Sequence, residues 1–251
     1  MNISINTLSV YGVSNPADAF PDMVKRGIYG YETWGIKPEE VTPLANAMKE
    51  FGTRLTCFCT NYFDLTNAQN RNIYVEELKK TLKAAELLNC SALITQVGQD
   101  TGMDRKLQHQ SIVDGLKACV PYLEQANVTL MIEPLNTVKN HIGYYLDESR
   151  EGFDIVKEVG SKNVKVLFDI YHQLHMQEPV LDMIKEGFEH IAHFHVAGYP
   201  ERDDQISTNF NYADAFALAD ALGFTGYFGM ELWPVNGNYK AFLDSLIPYI
   251  R

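Results

Sequence analysis

The chain has 251 residues, 46% hydrophobic and 21% charged, with 32 acidic against 21 basic side chains and a formal net charge of −11. Such a composition is ordinary for a globular domain in water, and a chain this long can bury roughly 70–75% of its unfolded surface without staples. No apolar run approaches the roughly 18–20 residues of a membrane span, and the acidic balance argues against nucleic acid, whose binders carry a basic patch.

The densest basic spot is Lys79 and Lys80 with Lys83, on a helical pattern. A neutral or small acidic substrate therefore fits better than a polyanion. Residues 1–6 read as a strand rather than a signal peptide, which makes the cytoplasm the default expectation. Cys57, Cys59, Cys90 and Cys119 form no CxxC pair and read as reduced core thiols, with Cys57 and Cys59 on one face of a strand.

In chain order, strands are expected over 3–10, 30–34, 54–59, 92–97, 129–133, 165–169, 191–196 and 227–231. Helical patterns lie between them. Asn15 precedes a first-turn proline, Pro16, and Gly27 closes that helix. Pro38 opens the next, which stops at Gly52. Leu78, Leu82 and Ala85 recur at helical spacing, and later helices end near Gly160 and Gly223. Eight βα repeats imply a parallel sheet. Eight such units close into a single (β/α)8 TIM barrel covering residues 1–251. An open doubly wound sheet would show a glycine-rich phosphate loop after its first strand. Tyr11-Gly12-Val13-Ser14 is not one.

Barrel enzymes work at the C-terminal ends of their strands. The first four strands end without metal-binding side chains, apart from Glu32 just inside the second. The last four end in Glu133, Asp169, His195 and Glu231. Side chains alternate across a strand. Leu130 and Ile132 thus oppose Glu133, Val164, Val166 and Phe168 oppose Asp169, and Phe228 and Met230 oppose Glu231. The apolar sets suit the helix-facing side, so the carboxylates face the axis. Three carboxylates in one confined site call for a cation. Oxygen donors with one imidazole suit Mn2+, Mg2+ or Co2+, with Zn2+ also compatible. His193 is read as a satisfied core histidine, with a partner role behind His195 as the alternative. His172 is placed in a loop over the site, where it would touch substrate. His109, His141, His175 and His190 carry no functional reading. Trp34 and Trp233 would form apolar walls against the carbon faces of a sugar-like substrate.

Five segments, 132–136, 142–146, 168–172, 193–198 with Pro200 and Arg202, and 231–234, resemble the hydroxypyruvate isomerase branch of the xylose isomerase-like barrels. The likeness is dense in the second half of the chain. In the first half it rests on the strand–helix rhythm and on Gly30-Tyr31-Glu32-Thr33-Trp34. The resemblance implies that Glu133, Asp169, His195 and Glu231 bind one divalent metal. It also implies that Glu133 and Glu231 double as the acid/base pair and that His172 and Arg202 hold substrate oxygens. Two positions divide the branches. The isomerases often carry glutamine where this chain has His195, and ketose 3-epimerases carry histidine there. Those epimerases place a further glutamate where this chain has Lys139. Residues 142–146 are isomerase-like. Barrels of this kind commonly form homo-oligomers.

The expected chemistry is removal of a proton next to a carbonyl to give an enediolate, one glutamate taking the proton and the other returning one. Return to the old carbonyl carbon gives isomerisation of a small hydroxy-carbonyl substrate. Return to the opposite face of the same carbon gives epimerisation. A dehydratase of the same superfamily, a repair endonuclease and a non-catalytic sugar-binding protein are the further alternatives.

Overall fold

Asn6 ends the first strand. Its side-chain oxygen accepts from the Ser9 N–H at 3.0 Å and caps helix α1 (Thr7–Tyr11). The strand β1 is therefore Asn2–Asn6, not the whole 3–10 stretch that its apolar residues suggest. A capping side chain satisfies an N–H that the first turn of a helix leaves free, and here it outweighs the apolar run that follows. The computed structural model describes residues 1–62 and 64–249.

The chain continues through α2 (Phe20–Lys25), β2 (Gly30–Thr33), α3 (Pro38–Phe51) and β3 (Arg54–Cys59). Next come α4 (Arg71–Leu87), β4 (Ala92–Thr95), α5 (Arg105–Ala126), β5 (Thr129–Ile132) and α6 (Ser149–Val159). It closes with β6 (Val164–Asp169), α7 (Ile170–His175), α8 (Val180–Gly187), β7 (Ile191–Val196), α9 (Tyr212–Ala221), β8 (Tyr227–Met230) and α10 (Tyr239–Leu246). The punctuation behaves as the sequence suggests. Asn15 accepts from the Ala17 N–H just before α2, and Gly52 and Gly160 close α3 and α6 with φ of +69° and +74°.

The strands pair in sequence order, each parallel to the next, and β8 returns to β1 to close an eight-stranded barrel. Two cores result. The larger lies between strands and helices and takes Leu130, Ile132, Val164, Val166, Phe168, Phe228 and Met230. The smaller fills the barrel interior with Cys57, Ile94, Met131 and Leu167 from β3 to β6. The faces predicted for β5, β6 and β8 are thus the observed ones. Besides β1, four strands, β2, β4, β5 and β8, stop one or two residues short of the sequence expectation. After β4, for example, the Val97 N–H is taken by the Tyr144 hydroxyl at 2.8 Å instead of a ladder partner. Among the described residues, no helix is long and apolar enough to cross a membrane.

Candidate active site

At the C-terminal end of the barrel, β6 and β7 set Asp169 beside His195 in register. Glu133 follows β5 directly, and Glu231 follows β8 with its N–H still bonded to the Val196 carbonyl at 3.2 Å. All four side chains are buried, and one donor atom from each lies within 4.8 Å of the others. His195 Nδ1 stands 3.2 Å from Glu231 Oε2, 3.5 Å from Glu133 Oε1 and 4.0 Å from Asp169 Oδ2. Donors bound at about 2.1 Å around a six-coordinate cation lie roughly 3–4 Å apart. Glu133 Oε1, Asp169 Oδ2 and His195 Nδ1 are buried without a hydrogen-bond partner. Buried polar atoms are normally satisfied, so three converging orphans fit a cation.

Asp169 divides its carboxylate. Oδ1 accepts the N–H groups of Tyr171 and His172 at 2.8 and 3.4 Å and caps α7, while Oδ2 is left to the site. Helix α7 starts at once, so His172 sits in its first turn and not in a loop. Burial pushes the Asp169 carboxyl up to about 7, with Glu133 and Glu231 adding to the effect against Arg202 and His195. Burial also opposes charge on Glu231, but Arg202 and His195 outweigh it and hold that carboxyl down at about 2. Burial disfavours a charged His195, yet Glu231 and Glu32 prevail and hold its proton affinity well above the usual imidazole range.

Arg202 comes from the tight loop after β7. A Cβ on Gly198 would lie 2.2 Å from Asp203 Oδ1, so only glycine allows that approach. Arg202 itself has φ of +59°, held by its N–H to the Gly198 carbonyl at 2.7 Å and by the Trp233 N–H to its own carbonyl at 2.9 Å. Its guanidinium donates to Glu231 and lies 3.5 Å from Asp169 Oδ2. It is thus tied into the charge balance of the site as well as facing the cavity.

A cavity of about 320 Å³ opens over these groups, bounded in part by Trp34, Trp233, His141 and His172. The two indoles are 39% and 45% exposed, with ring centroids 5.9 Å apart, so they form an open rim and not a seal. Trp34 is more than an apolar wall, because its indole N–H donates to Glu231 Oε1. His172 is fully buried. Its Nδ1 accepts the backbone N–H of Asn136 at 3.2 Å, which leaves the proton on Nε2. Burial, followed by Arg202 and His141, holds its proton affinity well below the usual range. The ring is therefore a neutral N–H donor, with Nε2 unpartnered and 3.4 Å from Asp169 Oδ2.

Sequence reasoning gave no role to two contributors. His141 lines the cavity with its ring centroid 5.2 Å from that of His172. Glu32 lies beneath the site, 3.1 Å from His195 Nε2 and 3.2 Å from His193 Nε2. His193 thus has its partner, as a core histidine should. All four cysteines are free, and Cys59 is only partly buried because it borders the cavity.

Fold and site together define a class, a (β/α)8 barrel whose last four strands present three carboxylates and one imidazole to a common point. The family model for the xylose isomerase-like TIM barrel matches residues 22–249, and the chain belongs to that family. A 2-oxo-tetronate isomerase of Cupriavidus necator is 39% identical over 123 residues, which are 49% of this chain and 46% of that one. The hydroxypyruvate isomerase of Escherichia coli is 26% identical over 148 residues, 59% of this chain and 57% of that one. The matched stretches span about half the length of these relatives. Among solved structures, an AP endonuclease, family 2, from Brucella melitensis superposes with a TM-score of 0.91 over the whole of both chains at 22% identity. The D-psicose 3-epimerase of Clostridium cellulolyticum H10 gives 0.81 over 99% of this chain and 96% of that one at 17% identity. At such identities the likeness is one of fold.

Proposed function

We propose that the protein is a metal-dependent isomerase of a small hydroxy-carbonyl substrate, hydroxypyruvate or a short sugar acid among them. The observation that carries this reading is the convergence of Glu133 Oε1, Asp169 Oδ2 and His195 Nδ1, all unpartnered, beside Glu231. Glu133, Asp169, His195 and Glu231 would hold one divalent ion, Mn2+, Mg2+ or Co2+ by their oxygen-rich donor set. When bound, such an ion acts as a Lewis acid that acidifies the C–H next to a carbonyl.

The side chains divide the remaining work. Glu133 is the better placed to take the first proton, since its Oε1 has no hydrogen bond while Trp34 and Arg202 hold both Glu231 oxygens. Glu231, ionised at rest, collects the proton released by the substrate hydroxyl and returns it at the neighbouring carbon, while the proton on Glu133 passes to the former carbonyl oxygen, so both carboxylates end as they began. His172, fixed neutral, donates its Nε2–H to a substrate oxygen, as an uncharged donor does without competing for the proton in transit. Arg202 steadies Glu231 and offers its buried, unpartnered Nε to a second oxygen. The indole rim packs the carbon face.

Lys139 supports isomerisation over 3-epimerisation. Its ammonium donates to the Pro200 carbonyl at 2.5 Å and pairs with Glu201 at 3.3 Å, joining two loops and contributing no carboxylate to the cavity. The test is incubation with hydroxypyruvate, four-carbon oxo acids, ketoses and aldoses in D2O with Mn2+. Deuterium next to a carbonyl and a carbonyl shifted by one carbon are expected, and Glu133→Gln should lower turnover by about 10²–10⁴-fold in a folded barrel. Near wild-type turnover by that variant refutes the assignment.

A further inference from the structure

We infer that Glu32 is a positioning residue for the metal site: from the far wall of the barrel it accepts the Nε2–H of His195 and so aims the Nδ1 lone pair of that ring at Glu133, Asp169 and Glu231. The inference deepens the metal-site reading above and rests on it. Glu32 lies inside β2, whereas His195 belongs to β7, with β1 and β8 between them along the barrel wall. Its Oε2 lies 3.1 Å from His195 Nε2 and 3.2 Å from His193 Nε2, and it accepts the Cys57 thiol at 3.0 Å. Its Oε1 accepts the Ser4 hydroxyl at 3.2 Å. An ionised carboxylate only accepts, so the imidazole nitrogens that face it carry protons. With its Nδ1 proton released, as metal binding requires, His195 protonated at Nε2 has its one lone pair at Nδ1, the atom that faces Glu133, Asp169 and Glu231.

The path across the barrel is kept open by residue size. Ser4 pairs in register with Gly229, and Gly229 pairs with His195. Between Glu32 and the imidazole there is thus a small side chain on β1 and none on β8. A Cβ on Gly229 would stand 2.0 Å from Glu32 Oε1 and 2.8 Å from His193 Nε2. Glycine is required there for close approach, since no positive φ demands it.

Glu32, His193 and His195 are also close enough to hold a cation of their own. Their facing atoms, however, already satisfy one another, whereas the orphaned Glu133 Oε1 and Asp169 Oδ2 lie by the orphaned Nδ1, on the other side of the His195 ring. The geometry therefore assigns Glu32 to orienting the ligand and not to a second ion. Partners of this kind, one step behind a metal-bound histidine, fix its tautomer and contribute about 10- to 100-fold in metal affinity.

Calorimetric titration of Mn2+ into metal-stripped wild type, Glu32→Gln, Glu32→Leu and Gly229→Ala tests this. One ion per wild-type chain is expected. Affinity should fall about 10- to 100-fold in Glu32→Leu and Gly229→Ala, and less in Glu32→Gln, whose carbonyl oxygen still accepts the N–H. Nitrogen spectra of 15N-histidine-labelled, Zn2+-loaded wild type should show His195 bound through Nδ1 with a slowly exchanging Nε2–H. That measurement decides the matter if the leucine variant does not fold. Equal Mn2+ affinity in wild type and a folded Glu32→Leu overturns the inference alone, as does binding through Nε2 or a second ion that Glu32→Leu removes. Failure of the wild type to bind Mn2+, Mg2+, Co2+ or Zn2+ overturns the metal-site reading together with it.

Discussion

Replacing Asp169 with asparagine is expected to stabilise the metal-free protein at pH 8 and to remove most of its stabilisation by Mn2+. The folded barrel raises this carboxyl from the usual 3.8 to about 7, chiefly by burial, which corresponds to about 4 kcal/mol at most. The native state therefore prefers the protonated group. That preference is fully present below the unfolded value and is lost as pH climbs through about 7. At pH 8 the ionised wild type bears the whole penalty, and asparagine bears none. Asparagine keeps an oxygen to cap α7 through Tyr171 and His172. Unfolding entropy near about 2.1 cal/mol/K per residue turns a gain of about 2–4 kcal/mol into about 4–8 °C in Tm. Mn2+ at about 100 times its Kd should lift the wild type by about 3 kcal/mol, or about 5 °C, and the variant hardly at all. Calorimetric scans at pH 5 and pH 8, with EDTA or Mn2+, measure both effects, and the metal-free difference should shrink at pH 5. A variant less stable than metal-stripped wild type at pH 8, or one that Mn2+ stabilises equally, refutes the reasoning.

Two further substitutions separate the site from its scaffold. Trp34→Phe keeps a ring at the rim but removes the donor to Glu231. Hydrogen bonds to charged groups contribute about 1.5–3 kcal/mol, so kcat/KM should fall about 10- to 100-fold. Because that donor helps to hold the Glu231 carboxyl low, the acid limb of the pH–rate profile should move to higher pH, and an unmoved limb counts against the contact. Gly187→Ala would place a Cβ 2.1–2.4 Å from three Phe153 ring atoms on the outer layer. Overpacking of this kind costs about 1–3 kcal/mol, a Tm loss of about 2–6 °C, with turnover unchanged. A Tm equal to wild type would show that the helix pair yields freely.

That the strand-end carboxylates face the axis was legible because a two-residue period is a local property. Once Leu130, Ile132 and Phe168 are assigned to the helix-facing side, the neighbouring carboxylates have only the axis left to face. The same alternation marks Glu32 as inward, since Tyr31 packs in the outer core, and a buried charge demands a partner. Which partner could not be read, because β2 meets β7 only across the closed barrel. His141 lies in an irregular connection with no period to place it. Trp34 was legible as a rim residue, but its N–H direction depends on side-chain torsion, which no pattern encodes. The overshoot of the first strand has the opposite origin: the one polar side chain at Asn6 redirects a backbone whose following residues, Leu8 and Val10, still look strand-like.

The split carboxylate of Asp169 has a consequence for motion. One oxygen is anchored to the start of α7, so this carboxylate cannot rotate without unravelling a helix end. Glu231 is pinned at both oxygens by Trp34 and Arg202. Glu133, whose Oε1 has no hydrogen bond, is left as the least anchored member of the proposed ligand set. An ion seated here would keep its address in the barrel throughout turnover while a single side chain swings between cation and substrate. Changes of substrate preference are then to be sought in the loops that carry His141, Lys139 and Arg202, with the floor of the site left untouched.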